Sequence, residues 1–369
     1  MSAPGPPPPY PGSAGPAGPA GPAGPPSQGY AWPPAPGYGD YAAPSGYAGP
    51  APPWQPPATG HQEPWWTPFG DDGVARSYVH QMRTRRHAWW RPLVALSVGV
   101  GVMIVATVVI GIVWYLLDPD QFTSGSAELD LVSPVTMLMN NLLLAALIPA
   151  TLLATRLGHW RPMGFVWSVA GRIRWRWMAR SGLVTLLVWG GYLALAWVAS
   201  GEQPTTQPDH LGWLLLITLV TTPLQAAGEE VAFRGGLLQG VGAWIGNPVV
   251  AVVVGTVLST GLFALAHGSF DPWTLVELGS LAAAACYLTW RTGGLEAAIV
   301  LHVVNNLVIS VGLLLLGGLE SAYVTDDTSG TAVSGLVAVV AHVVMAVVLT
   351  WQARRAGIAP AGVSTPATS

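Results

Sequence analysis

Apolar and polar positions fall in long blocks along this chain, without the two-residue period of a half-buried strand. Eight stretches, at roughly 92–117, 133–155, 181–199, 211–227, 248–267, 272–290, 295–316 and 333–352, are almost wholly apolar. Each approaches the ~20 residues that a helix needs to cross a hydrocarbon core. Backbone polar groups inside lipid must be satisfied within their own segment, which favours helices. The pattern therefore predicts an all-α fold, a polytopic bundle of about eight transmembrane helices over 92–355. The segment at 272–290 is the weakest of the eight, being short and carrying Glu277.

The regions outside the blocks have characters of their own. Residues 1–75 are rich in Pro, Gly, Ala and Tyr and hold few aliphatic residues, the composition of a disordered arm. The string Pro6-Pro7-Pro8-Pro9-Tyr10 suits docking to an aromatic groove as polyproline II, so a partner for this arm is one expectation and a solvated tail the plainer one. No basic stretch followed by an apolar core opens the chain, so a cleaved leader is not expected. Residues 76–91 interleave arginines with His80, His87, Trp89 and Trp90, as a basic juxtamembrane collar with an aromatic belt does. The Arg- and Trp-rich segment 156–180 reads as an interfacial amphipathic helix, and 356–369 as a flexible tail.

Composition sharpens the class. The 369 residues are 51% hydrophobic and 9% charged, whereas a soluble domain carries roughly a quarter charged residues. A net charge of −3 gives no footprint for a nucleic-acid partner. All fifteen basic residues are arginine, and fourteen of them fall before the first block, between the second and third, between the sixth and seventh, or after the last. The opposite connections hold Asp118, Asp120, Glu128, Asp130, Glu202, Asp209, Glu320, Asp326 and Asp327. The positive-inside rule then places both termini in the cytoplasm. Arginine without lysine, in an Ala/Gly/Pro-rich chain, suits a GC-rich bacterial gene and hence a plasma membrane. Cys286 stands alone, which excludes an internal disulfide or a thiolate metal cage and leaves it a core-filling role.

The fifteenth arginine lies in the one polar motif that interrupts the apolar pattern, Gly228-Glu229-Glu230-Val231-Ala232-Phe233-Arg234-Gly235-Gly236. Charges at a membrane helix are costly and usually functional. Glu230 and Arg234 are four apart with the acid first, so they can pair on one helical face, leaving Glu229 for other work. Two later blocks each bring a histidine: Phe263 and His267 share a face, as do His302 and Asn306, with Asn305 turned away. A partly desolvated glutamate can take a proton from water, and histidine and asparagine can donate to an oxyanion. Taken singly, each site reads more readily as a helix-end ion pair or an interhelical contact. His342, with no polar neighbour at helical spacing, reads as structural.

Together, Glu229-Glu230-VAF-Arg234, Phe263-ALA-His267 and His302-VVN-Asn306 resemble, in order and spacing, the three motifs of the CPBP intramembrane proteases. That family comprises the CAAX prenyl endopeptidases and the bacteriocin-processing and immunity relatives. The resemblance covers roughly 210–310. It implies an endopeptidase in which Glu229 activates water with help from His267, while His302 and Asn306 bind the oxyanion. Glu230, Arg234 and Phe263 would shape the site. The implied substrate is a membrane-associated peptide or protein. The family is commonly called metalloprotease, and Glu229, His267 and His302 are the donors that would hold zinc. HExxH is absent, and the residues fit a glutamate-activated water without an obligatory metal. Glu296 departs from the apolar or aromatic residues of relatives, with substrate access as the property it would alter. Competing readings are a non-catalytic scaffold or immunity protein of the same fold and a proton-coupled transporter. The histidines can meet only if the turn at 268–271 dips toward a wet cavity at mid-membrane, so a straight-through fifth helix would count against the whole reading.

Overall fold

The computed structural model describes residues 74–84, 87–123, 130, 132–201 and 203–362. The expected arm through residue 73 and the end of the tail, 363–369, lie outside the described residues. Eight long helices follow one another: α1 (Arg91–Leu117), α2 (Pro134–His159), α3 (Trp175–Ser200), α4 (Leu211–Trp244), α5 (Pro248–Leu265), α6 (Pro272–Thr292), α7 (Glu296–Leu316) and α8 (Ala332–Arg355). The described strands are only two residues each, β1 (Arg76–Ser77) and β2 (Ala361–Gly362).

The caps that start these helices are readable residue by residue. The Asn247 side chain accepts from the Val249 and Val250 amides, with Pro248 at the first helical position of α5. Asp271 does the same for α6, accepting from Trp273 and Thr274, and also from the Gly330 amide at 2.8 Å. Those bonds, the Thr274 and Gly330 amides foremost, hold the Asp271 carboxyl below its ordinary pKa. Gly293 ends α6 at φ +66°, a left-handed cap that glycine adopts without a Cβ clash. Thr331 and Ser334 form a reciprocal cap at the start of α8.

Contacts between connections define two ends of the bundle. At one, β1 pairs antiparallel with β2, Val169 N donates to Gly293 O (2.8 Å), and His80 lies 3.0 Å from Ile245 O. At the other, Thr205 N donates to Leu316 O (2.6 Å), and Ser269 Oγ to Thr328 O (3.1 Å). The helix α6 starts beside Gly330 and ends beside Ala359, so it runs from one end to the other. Seven of the eight helices are long and apolar enough to cross a membrane, α6 being the exception. It is as long as α7, but its polar residues are sheltered by α5, α7 and α8. The chain is thus a multi-pass membrane protein with seven apolar helices and an eighth packed among them.

Two sequence expectations are corrected here. The segment 156–180 is not one amphipathic helix. A π turn at Thr155–His159 closes α2, Trp160 takes φ 54°, a single turn forms at Gly164–Trp167, and α3 begins at Trp175. Its residues turn inward: Arg161 is buried with its guanidinium 3.9 Å from the Phe165 ring centroid, and its Nη2 donates to Gln81 (3.1 Å). In the collar, Tyr78, Val79 and Met82 are buried and the Tyr78 hydroxyl donates to Val166 O, while Trp89 and Trp90 are exposed.

Glu296, expected to alter substrate access, is instead a bracket. Its carboxylate accepts from Arg174 N (2.9 Å), Nε (2.8 Å) and Nη2 (2.6 Å), fastening the connection before α3 to the start of α7. Glu296 is 2% exposed, so losing the guanidinium strands a buried charge. Arg174→Ala should therefore cost about 3–5 kcal/mol and lower the melting temperature in detergent by several degrees. A melting curve that overlays the wild type would show that the bracket carries no weight.

Candidate active site

The helix α4 is the frame of the site. Its 34 residues span roughly 51 Å at 1.5 Å per residue, far more than a hydrocarbon core. Pro223 lies inside it, and the α-helical ladder gives way to a π-helical stretch at Val231–Leu238. Such widened turns need local support and are frequent at functional sites. Gly228, just before the acid pair, lets α2 come close: a Cβ there would lie 2.3 Å from Leu144 O.

Glu230 and Arg234 are both 0% exposed, and Arg234 Nη1 donates to Glu230 Oε1 at 3.0 Å, the (i, i+4) pair expected from sequence. Arg234 Nη2 donates to Ala282 O on α6 at 3.0 Å. The guanidinium also lies 4.8 Å from the Phe263 ring centroid, within cation–π range. From α7, His302 Nδ1 sits 2.9 Å from the same Glu230 oxygen. A carboxylate only accepts, so Nδ1 carries the proton in that bond. Four helices therefore meet on one buried charge pair.

Glu229 occupies the next face. Gln225 Nε2 donates to its Oε1 at 2.7 Å, and Asn306 Nδ2 donates to Gln225 Oε1 at 3.3 Å. Glu229 Oε2 is buried without a hydrogen bond and stands 3.6 Å from His302 Nε2. Asn305, expected to turn away, does so: its Oδ1 accepts from Trp189 Nε1 on α3 (3.3 Å), while its Nδ2 donates to Asn306 Oδ1 (3.2 Å). Gln225 and Trp189 were not singled out from sequence. Gln225 was within reach of sequence reasoning, since it lies four residues before Glu229 on the same face. Nothing local marks Trp189.

The structure thus brings Glu229, Glu230, Arg234, His302 and Asn306 into one network. His267 stands apart from it. The α5 helix is unbroken from Pro248 to Leu265, and Gly268 then turns the chain at φ +82°. His267 Nδ1 lies 2.8 Å from Phe263 O, and its ring packs on Phe263 at 4.7 Å between centroids. Phe263 touches His302 edge-on from its other side, at 5.7 Å. The two histidines are therefore bridged by an aromatic ring and share no hydrogen bond. His342 gains its polar neighbour from another helix, Ser280 Oγ at 2.8 Å.

A zinc site would need three ligating side chains to converge on one point. Among the described residues no three His, Cys, Asp or Glu side chains gather as metal ligands. His302 turns one ring nitrogen to Glu230, and Phe263 keeps His267 from closing the set. The donors as placed do not fit the metal, and the chemistry below uses the side chains themselves. The side chains around the acid pair are tightly packed. Glu229 is 7% and His302 2% exposed, and the cavities of about 960 Å³ and 590 Å³ lie elsewhere. The larger opens at the acidic end between Asp130, Thr205, His210 and Glu320.

Comparison with known proteins agrees with the motif reading. Residues 211–308 match the family model described as type II CAAX prenyl endopeptidase Rce1-like. An uncharacterized protein, YyaK of Bacillus subtilis (strain 168), is 24% identical over 251 residues, covering 63% of this chain and 82% of that one. No solved structure matches. From the start of α4 to the middle of α7, where the acid pair, Phe263 and His302 converge, this multi-pass membrane protein is similar to the Rce1-like type II CAAX prenyl endopeptidases.

Proposed function

We propose that the chain is an intramembrane endopeptidase that hydrolyses a peptide bond in a membrane-associated peptide or protein. The observation that carries this is the Glu229 carboxylate, buried, pinned through one oxygen by Gln225 and left without a hydrogen bond on the other, 3.6 Å from His302 Nε2. Glu230 Oε2 is likewise without a hydrogen bond, but that residue is 0% exposed and its other oxygen is committed to both Arg234 and His302, whereas Glu229 is held by the neutral Gln225 alone. A general base needs one oxygen aimed and the other available.

In this reading Glu229 Oε2 takes a proton from water as the water oxygen adds to the scissile carbonyl carbon. The carbonyl electrons move onto oxygen, and the oxyanion accepts from His302 Nε2 and Asn306. His302 already donates through Nδ1 to Glu230, so it has an Nε2 proton to give only as imidazolium. Glu230 supplies the negative partner for that cation, and Arg234 keeps Glu230 ionised and in place. His267 donates Nδ1–H to Phe263 O, which leaves Nε2 as an acceptor that orients the water. The tetrahedral intermediate then breaks its C–N bond, and the proton held by Glu229 passes to the departing amine. Substrate approaches past His267 and Asn306, the least buried members of the set. The same reading places the protein in a bacterial plasma membrane with both termini cytoplasmic, on the arginine distribution.

Purified protein should cleave members of a library of membrane-anchored peptides, and Glu229→Gln and His302→Ala should each lower the rate about 10²–10⁴-fold without loss of folded protein. Activity should persist in a chelator. Cleavage that survives both substitutions would remove the assignment and favour a scaffold of the same fold.

Gln225→Ala should reduce kcat by roughly 10–100-fold, the value of one hydrogen bond to a charged group, and lower the melting temperature by a few degrees because it strands Glu229 Oε1. An unchanged kcat would mean that Glu229 is positioned by something else.

Cys286 is buried, so an introduced cysteine is the one available to a membrane-impermeant thiol reagent. On intact cells Asp327→Cys should label and Ser364→Cys should label only after lysis. The reverse pattern would invert the topology.

A further inference from the structure

A groove of about 590 Å³ runs between α1, α2 and the second half of α4, away from the acid pair and both site histidines. Small residues make its floor, Ala150 and Ala154 from α2 with Gly235, Gly236 and Gly240 from α4. Its α1 wall extends from Pro92 to Val108, roughly 24 Å at 1.5 Å per residue. One leaflet of hydrocarbon is about 15 Å deep, so the groove is long enough for a lipid tail. The α1 helix closes it only loosely: of its 27 residues, Arg91, Pro92 and Ala95 alone are buried, and the rest face outward or toward the groove.

Positive charge gathers where the groove meets the basic end of the bundle. Arg91, at the start of α1, donates Nη1 to His159 O (3.1 Å) and lies 4.8 Å from the Trp160 ring and 5.3 Å from the Trp90 ring. Arg83 donates to Ala243 O near the end of α4 (3.0 Å). Ala243 adjoins Trp244 and His159 is itself a wall residue, so both guanidinium groups are anchored at the same end of the groove. An anion placed there meets two fixed positive charges, and tryptophans beside it are the residues of a lipid headgroup zone.

We propose that this groove binds one acyl chain of an anionic glycerophospholipid, with the lipid phosphate seated at Arg83 and Arg91. The floor of the groove is the outer face of the π-helical stretch whose Arg234 holds Glu230. A bound tail therefore supports the widened turn of α4 from the lipid side. The binding itself does not depend on the protease reading.

Native mass spectrometry of the detergent-purified full chain, titrated with phosphatidylglycerol or with phosphatidylcholine of the same acyl chains, tests this. Wild type should retain one phosphatidylglycerol about tenfold more tightly than phosphatidylcholine. Gly240 lines the groove, and a Cβ there would meet no atom within 4 Å. Gly240→Leu should therefore fold, gain helix propensity and weaken phosphatidylglycerol at least tenfold by filling the groove. Arg83→Gln should abolish the preference between the two lipids while leaving phosphatidylcholine binding unchanged. Val109→Phe, on the exposed side of α1 away from the groove, should match wild type. Equal retention of both lipids by wild type, or undiminished binding by Gly240→Leu, would overturn the proposal. So would a wild-type dimer that Gly240→Leu dissociates, which would give the groove to a second copy of the chain.

Discussion

The fold depends on a desolvated ion pair in the middle of an apolar bundle. Glu230 and Arg234 are both fully enclosed, and isolated charges in that setting would each cost several kcal/mol. They are held by contributions from separate helices: Ala282 O from α6, His302 from α7 and the Phe263 face from α5. Each neighbour must be in register for the pair to be tolerated, so the pair works as a specification of how these helices dock on α4. That is the best-supported use of a buried salt bridge, which adds little net stability over an apolar packing of the same volume.

The same constraint accounts for the unusual form of α4. A regular helix that carried Glu229 and Glu230 into the bundle would direct the residues after Arg234 at a fixed 100° per step. The π-helical stretch, with its i→i+5 bonds, puts more residues in a turn and so narrows that step, and Gly235 and Gly236 face Val166 and Thr151 while Arg234 still reaches back to Glu230. The small residues are needed because the neighbouring side chains come so near: a Cβ on Gly235 would lie 2.7 Å from Val166 Cγ1. Backbone irregularity, small residues and buried charge are one arrangement, and the lipid-side groove is its outer surface.

Away from the site, the ends of the bundle are tied by polar contacts between connections. The Arg174–Glu296 bracket, the pairing of β1 with β2 and the shared use of Asp271 by α6 and Gly330 fix loops that apolar packing alone would leave unspecified. Helices in lipid gain nothing from burying apolar surface against each other, since tails are as apolar as leucine. Specific hydrogen bonds and close contact therefore decide which helix lies next to which. The helix α6 shows the consequence, since its polarity is acceptable only because three neighbours surround it.

The sequence by itself determined the helices and most of their approximate limits, because helix formation in lipid is local and every backbone bond closes within its segment; α4 is the exception, running to Trp244 where its apolar block ends at 227. It also determined the Glu230–Arg234 pair and the different faces of Glu229 and Glu230, since these follow from helical spacing. Only the tertiary structure decided what meets across helices. Gln225 as the clamp on Glu229, Phe263 as the ring between the histidines, Trp189 behind Asn305 and Arg174 as the partner of Glu296 each join residues more than 30 positions apart or through a third helix, with the exception of the Gln225 contact. The same is true of the burial of Arg161 and Phe165 within 156–180. Side-chain periodicity tells which face of a helix is polar, but the partner of that face is set by the docking of whole helices, which no local pattern encodes.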